Sequence, residues 1–191
     1  MNRKTFLSAS IKAGVGCCAL RVLAAQPSRG ADTAPAPAAP DHSKTERDKA
    51  FTDGWLTDLL DTMDGELDEP TRIKLIEGCG RGCYRRHAFK GEIAAAAGGT
   101  LPGLLEAYHR ICEAWLVGDN ELHIRFGEKS DRCYCPVLHD QPGRPNDLHC
   151  HCTKATHQMI IETALGHPVQ SIEIVESLRR GGNTCHFVAR V

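Results

Sequence analysis

These 191 residues lack three things, and each absence removes a class of function. The first is a basic excess: 23 Lys and Arg stand against 24 Asp and Glu. Four of the basic residues (Arg3, Lys4, Lys12, Arg21) fall in the first 25 positions, with no acidic residue among them. The remainder therefore carries 19 basic against 24 acidic side chains, about −5 with His neutral. A chain so balanced lacks the electrostatic footprint of a nucleic-acid binder. The second absence is a long apolar run. The stretch from Ile11 to Ala25 is short and broken by Lys12 and Arg21, so it does not read as a membrane span. The third is an internal repeat. What remains is ordinary globular composition, 41% apolar and 25% charged, at a length that fits one domain plus an appendage.

The appendage reads as an address. Arg3 and Lys4, the weakly apolar stretch, and the small residues Ala24 and Ala25 have the anatomy of a signal peptide over 1–25. Arg3-Lys4-Thr5-Phe6-Leu7 resembles the twin-arginine signal, with Lys in place of the second Arg. That resemblance implies export of an already folded protein to the periplasm or cell envelope. Residues 26–44 are rich in Ala and Pro, which block helix and strand pairing and predict a semi-extended linker. The folded domain is expected over 45–191.

Periodicity predicts four helices and a small sheet. Phe51, Trp55, Leu59, Leu60 and Met63 space a first helix to Leu67. Asp68 with Pro70 starts a second, running through Cys79, Cys83 and His87 to Gly98-Gly99. Thr100 with Pro102 starts a third, carrying Cys112 and Trp115 to Gly118. Leu122, Ile124 and Phe126 alternate as a strand, and a short extended piece follows over Cys133 to Val137. Thr153 caps a fourth helix to Gly166. Val169 to Leu178 and Thr184 to Val191 form two strands joined by Arg179-Arg180-Gly181-Gly182-Asn183. The expected fold class is α+β, with N-terminal helices packed on a small antiparallel sheet that ends in a C-terminal β-hairpin.

Ten cysteines and ten histidines are the unusual feature. Cys133-Tyr134-Cys135 and Cys150-His151-Cys152 are read as two extended clips, each presenting both sulfurs on one face. Together they could close four thiolates around zinc or an iron–sulfur cluster. A Cys-x-Cys pair can also split between two sites, and disulfides are the competing use of these cysteines in an exported protein. Cys79, Cys83 and His87 stack at i, i+4 and i+8 on the second helix, as ligands or as core. Gly78, Gly80 and Gly82 interleave them and point to a close backbone approach. Arg81, Arg85, Arg86 and Lys90 form a solvated face, or else lower the pKa of Cys83 and make it a nucleophile with His87 as base. Glu77 or Glu92 would be the carboxylate partner. Cys112 reads as core, and His157 is the best further ligand among the remaining histidines.

The ending Glu176-Ser177-Leu178-Arg179-Arg180-Gly181-Gly182-Asn183-Thr184-Cys185-His186-Phe187, after Cys152, a helix and Gly166, resembles that of 4-vinyl reductase domains. It is also similar to the ending of the L-2-amino-thiazoline-4-carboxylic acid hydrolase-like family. The first resemblance implies a small-molecule-binding α+β domain with a cysteine zinc site. Two of its ligands fall on Cys152 and Cys185 and a third position on Ser177, where Cys133, Cys135 or Cys150 would have to substitute. Cys79 and Cys83 with the two Cys-x-Cys clips are similar to exported cysteine-rich bacterial proteins of unassigned activity. The leading expectation is an exported protein binding zinc, or alternatively an iron–sulfur cluster, through Cys133, Cys135, Cys150, Cys152 and Cys185, beside a pocket for a small molecule. The rivals are a hydrolase using Cys83 or metal-bound water, and a disulfide-stapled domain.

Overall fold

Asp68 and Thr100 open two of the helices with the capping chemistry their sequence announces. In the computed structural model the Asp68 carboxylate accepts from the Thr71 amide at 2.7 Å, and the Thr71 side chain and amide together hold its pKa below the usual carboxylate range. Thr100 accepts from the Gly103 amide at 3.2 Å. A proline follows in the first turn of each helix, where its missing N–H costs nothing. The structure describes residues 42–139, 141–144 and 146–191, and the signal and most of the linker reading lie outside them. Residues 46–191 form one compact unit.

The elements run α1 (His42–Glu66), α2 (Glu69–Arg86), α3 (Ala88–Ala96), α4 (Leu101–His109), β1 (Glu113–Val117), β2 (Glu121–Arg125), α5 (Cys150–Leu165), β3 (Ser171–Glu176) and β4 (His186–Arg190). A single 3₁₀ turn, Leu178–Arg180, lies between β3 and β4. The four strands form one antiparallel sheet in the order β1-β2-β4-β3. Leu122 pairs with Ala189 and Ile124 with Phe187, and all four are fully buried. They share one face of the sheet, which packs with Leu104 and Tyr108 of α4 and Ile160 and Ile161 of α5. The expected α+β class with a C-terminal antiparallel pair is what the chain adopts.

Four boundaries differ from the sequence reading. The first helix begins at His42, inside the stretch read as linker, and its stripe of Phe51 and Trp55 is exposed. The second breaks at His87, whose extended backbone (φ −113°, ψ 100°) separates α2 from α3. The third stops at His109. The Ile111 and Cys112 amides both turn back to the Tyr108 carbonyl, and the following Ala-Trp-Leu-Val becomes edge strand β1. Aromatic and β-branched residues favour a pleated surface, so this segment had a strand signal. The fourth begins at Cys150, three residues before Thr153.

Candidate metal centre

The last of these differences reshapes the sulfur chemistry. Cys150 and Cys152 lie in the first turn of α5 and not in an extended strand. At 3.6 residues per turn, positions two apart diverge by about 200°, so the two sulfurs point to opposite sides of the helix. The expected clip is thus split between two groups of thiols, which the Cys133–Cys135 loop joins, since Cys133 interacts with Cys135 as well as Cys150, and Cys135 with Cys150 as well as Cys83. Eight described cysteines are free, and no disulfide joins them.

The first group is Cys133, Cys150 and Cys185. Cys150 and Cys185 are 3% and 5% exposed and in hydrogen-bond contact. Cys150 donates, which raises its own pKa and lowers that of Cys185. The Ser177 hydroxyl lies 3.0 Å from the Cys150 sulfur. Cys133 comes from the loop before α5 and feels the charge of Cys150. Cys185 in turn feels Cys133.

The second group faces α2. Cys152 interacts with Cys135, Cys83 and Cys79, and burial pushes its pKa up to about 12. Cys135 also feels Cys83, and the Nε2 of His149 sits 3.1 Å from its sulfur. Burial lowers the His149 pKa to about 4, so the ring is neutral. Lys90 of α3 donates to Cys83 at 2.8 Å. The close approach expected of the glycines falls on Gly80: a Cβ there would overlap the Cys152 carbonyl and come within 2.9 Å of the Ala155 Cβ. Thr156 seals this contact by donating to the Gly80 carbonyl at 3.1 Å.

Backbone amides are aimed at several of the sulfurs. The amides of Cys135, of Val137 and Leu138, and of Leu178 act to lower the pKa of Cys133, Cys135 and Cys185 respectively, although burial keeps those of Cys133 and Cys135 raised. A thiol is a weak acceptor, whereas a thiolate is a strong one. Such donors favour the charged form and oppose the burial that otherwise raises these pKa values. This is the environment a metal-bound thiolate needs from its outer shell. Among the described residues, no three Cys, His, Asp or Glu side chains are arranged to hold an ion as they stand. Thiols and an imidazole are soft donors of the kind a thiophilic metal takes.

Arg179 fixes the loop that delivers these groups. Its side chain is 3% exposed and pairs with Asp147 at 2.5 Å. It also donates to the carbonyls of Leu138, Gln141 and Pro142, each at 3.1 Å. Asp147 in turn accepts from the His149 amide at 2.8 Å, directly before Cys150. The turn expected over Arg179 to Asn183 is present, and within it Arg179 is the buried residue that anchors the loop.

Other expected residues fall elsewhere. His87 leaves the Cys79–Cys83 face because α2 ends at Arg86, and its ring faces Phe89 at 6.0 Å. Lys90 occupies the place expected of it beside Cys83. Glu77 is held by Lys154 at 2.8 Å, and Glu92 is exposed on α3. His157 is buried against Phe187 and Phe126, bonded to Tyr108 at 3.0 Å, with no sulfur partner. Cys112 borders the core, its pKa pushed up to about 12 by burial. His149 and the Arg179–Asp147 pair are the contributors that the spacing of cysteines did not announce.

Fold and site thus define an α+β domain with a concentrated set of free thiols, of which Cys150, Cys152 and Cys185 are buried. No family model matches the chain, and no curated protein matches it. A solved structure, a trafficking protein particle complex subunit 3 from Naegleria fowleri covalently bound to palmitic acid, is similar at a TM-score of 0.49 and 16% identity. The match covers 78% of this chain and 96% of that one.

Proposed function

We propose that this chain is an exported metal-binding protein, with zinc or an iron–sulfur cluster held by cysteines in a small-molecule-binding domain of the 4-vinyl reductase-like kind. The observation that carries the reading is the gathering of free thiols around the start of α5, with the His149 ring 3.1 Å from the Cys135 sulfur. Buried thiolates need a compensating cation, and a metal supplies it with directed bonds. Cys133, Cys135, Cys150, Cys152, Cys185, Cys79 and Cys83 are the candidate ligands. His149 replaces His87 as the histidine at the site. Export rests on the leader-like sequence of residues 1–25.

The test is to purify the full chain without reductant and count bound metal and free thiols together. Bound zinc or iron with few titratable thiols supports the reading. No metal, with thiols that emerge only after reduction, would leave the disulfide-stapled alternative.

One observation favours a second reading. Lys90 donates to Cys83 at 2.8 Å, which sets a cation beside a half-buried thiol, a pairing compatible with a thiol nucleophile of the kind a hydrolase uses. A Cys83 that is alkylated by iodoacetamide at pH 7 faster than Cys79, in metal-loaded protein, would support it.

A further inference from the structure

We propose that α1 is the seat of a homodimer, in which two copies of the chain pack this helix antiparallel about Trp55. The helix is 25 residues long, yet none of residues 43–66 is buried. Its sequence is poorly suited to standing alone. Gly54 and Gly65 lie within it with nothing nearby that a Cβ would meet. Thr52, Thr57 and Thr62 turn their hydroxyls back to the carbonyls four residues before them. Helices of this kind take their stability from packing an apolar face. One side of α1 meets the domain: Leu56, Leu60 and Met63 are half-buried, Asp64 holds Arg72 at 2.7 Å, and Asp61 and Asp64 hold Arg144. The other side carries Phe51, Trp55 and Leu59 at i, i+4 and i+8, and these are 78%, 60% and 39% exposed.

Charge selects a second copy as the occupant. The Lys and Arg residues of α1, Lys44, Arg47 and Lys49, all precede Phe51, and with Glu46 and Asp48 leave that end one net positive charge. Asp53, Asp58, Asp61, Asp64 and Glu66 follow Phe51 with no basic residue among them. A second copy laid antiparallel sets each basic end against an acidic end, whereas a parallel copy would set acid against acid. A two-fold axis at Trp55 brings Phe51 of one copy to Leu59 of the other and makes the contact self-complementary. The same axis brings Asp48 to Thr62 and Lys44 to Glu66, since Lys44 and Glu66 stand eleven residues, about three turns, on either side of Trp55.

Sedimentation velocity of the full chain, with reductant present, should show a dimer that dissociates on dilution and is weakened by added salt. In Trp115→Phe, the emission of Trp55 should move to longer wavelength as the dimer dissociates. Phe51→Ser/Trp55→Ser should lose the dimer, whereas Leu75→Ser, which removes an exposed leucine of α2, should keep it. Lys44→Glu/Arg47→Glu should weaken the dimer, and adding Asp58→Lys/Glu66→Lys to the same chain should restore it. A monomer at every concentration overturns the proposal, and so does a dimer that survives Phe51→Ser/Trp55→Ser. A dimer that salt strengthens, or that the reversed charges fail to restore, overturns the antiparallel arrangement.

Discussion

Replacing Arg179 with Met should destabilise the domain and loosen the loop that carries Cys133, Cys135 and His149 together. The substitution preserves approximate volume but leaves the Asp147 carboxylate, 6% exposed, without its cation. Three loop carbonyls lose their donor at the same time. Breaking a buried ion pair by removing one partner costs about 3–5 kcal/mol. Fraying of the loop that carries Cys133, Cys135 and His149 would relieve part of that cost. For a domain near 150 residues this corresponds to a fall in Tm of roughly 10 °C. Arg179→Lys keeps the charge but not the fork and should cost less, about 1–3 kcal/mol. Adding Asp147→Asn to Arg179→Met removes the stranded charge and should recover part of the loss. Urea denaturation measures the stability, and amide exchange over 133–149 separates loop opening from global unfolding. An Arg179→Met midpoint and loop protection equal to wild type would refute the claim that this pair anchors the site.

Gly80 and Gly78 should respond in opposite directions to Ala. Gly80→Ala forces α2 away from the Cys152 carbonyl and should cost about 1–3 kcal/mol or more in urea denaturation. Gly78→Ala meets only the flexible Arg81 side chain at 3.9 Å and should gain up to about 1 kcal/mol of helix propensity. Equal effects would contradict the assigned contact. Acid sensitivity should trace to His157, whose pKa burial lowers to about 3 from 6.5. The unfolded chain then binds the extra proton between these values, so this contribution is complete above pH 6.5 and is lost as pH falls toward 3. The loss is on the order of 5 kcal/mol across that window. Stability against pH for Tyr108→Phe/His157→Phe, which removes both ends of the hydrogen bond, should fall less steeply in acid. An unchanged slope would contradict it.

The fold was legible where capping and period agree. Asp68-Glu69-Pro70 and Thr100-Leu101-Pro102 announced helices, and the alternation of Leu122, Ile124 and Phe126 announced a strand. Strand β1 was not, because Ile111, Cys112 and Trp115 continue the i, i+3, i+4 spacing of α4 and their strand propensity was read second. For the site, the cysteines themselves were visible, but their grouping was not. A Cys-x-Cys pair presents two sulfurs together on a strand and apart on a helix, so moving the start of α5 from Thr153 to Cys150 changes which thiols meet. Arg179 and Asp147 stand 32 residues apart, and only tertiary folding pairs them. The close approach at Gly80 was anticipated from the interleaved glycines, whereas its partner on α5 was not.

The most direct measurement is X-ray absorption at the metal edge of the full-length protein. Thiolate ligation predicts a first shell dominated by sulfur, at about 2.3 Å for zinc. A shell of nitrogen and oxygen at about 2.0–2.2 Å, with no sulfur, would contradict it.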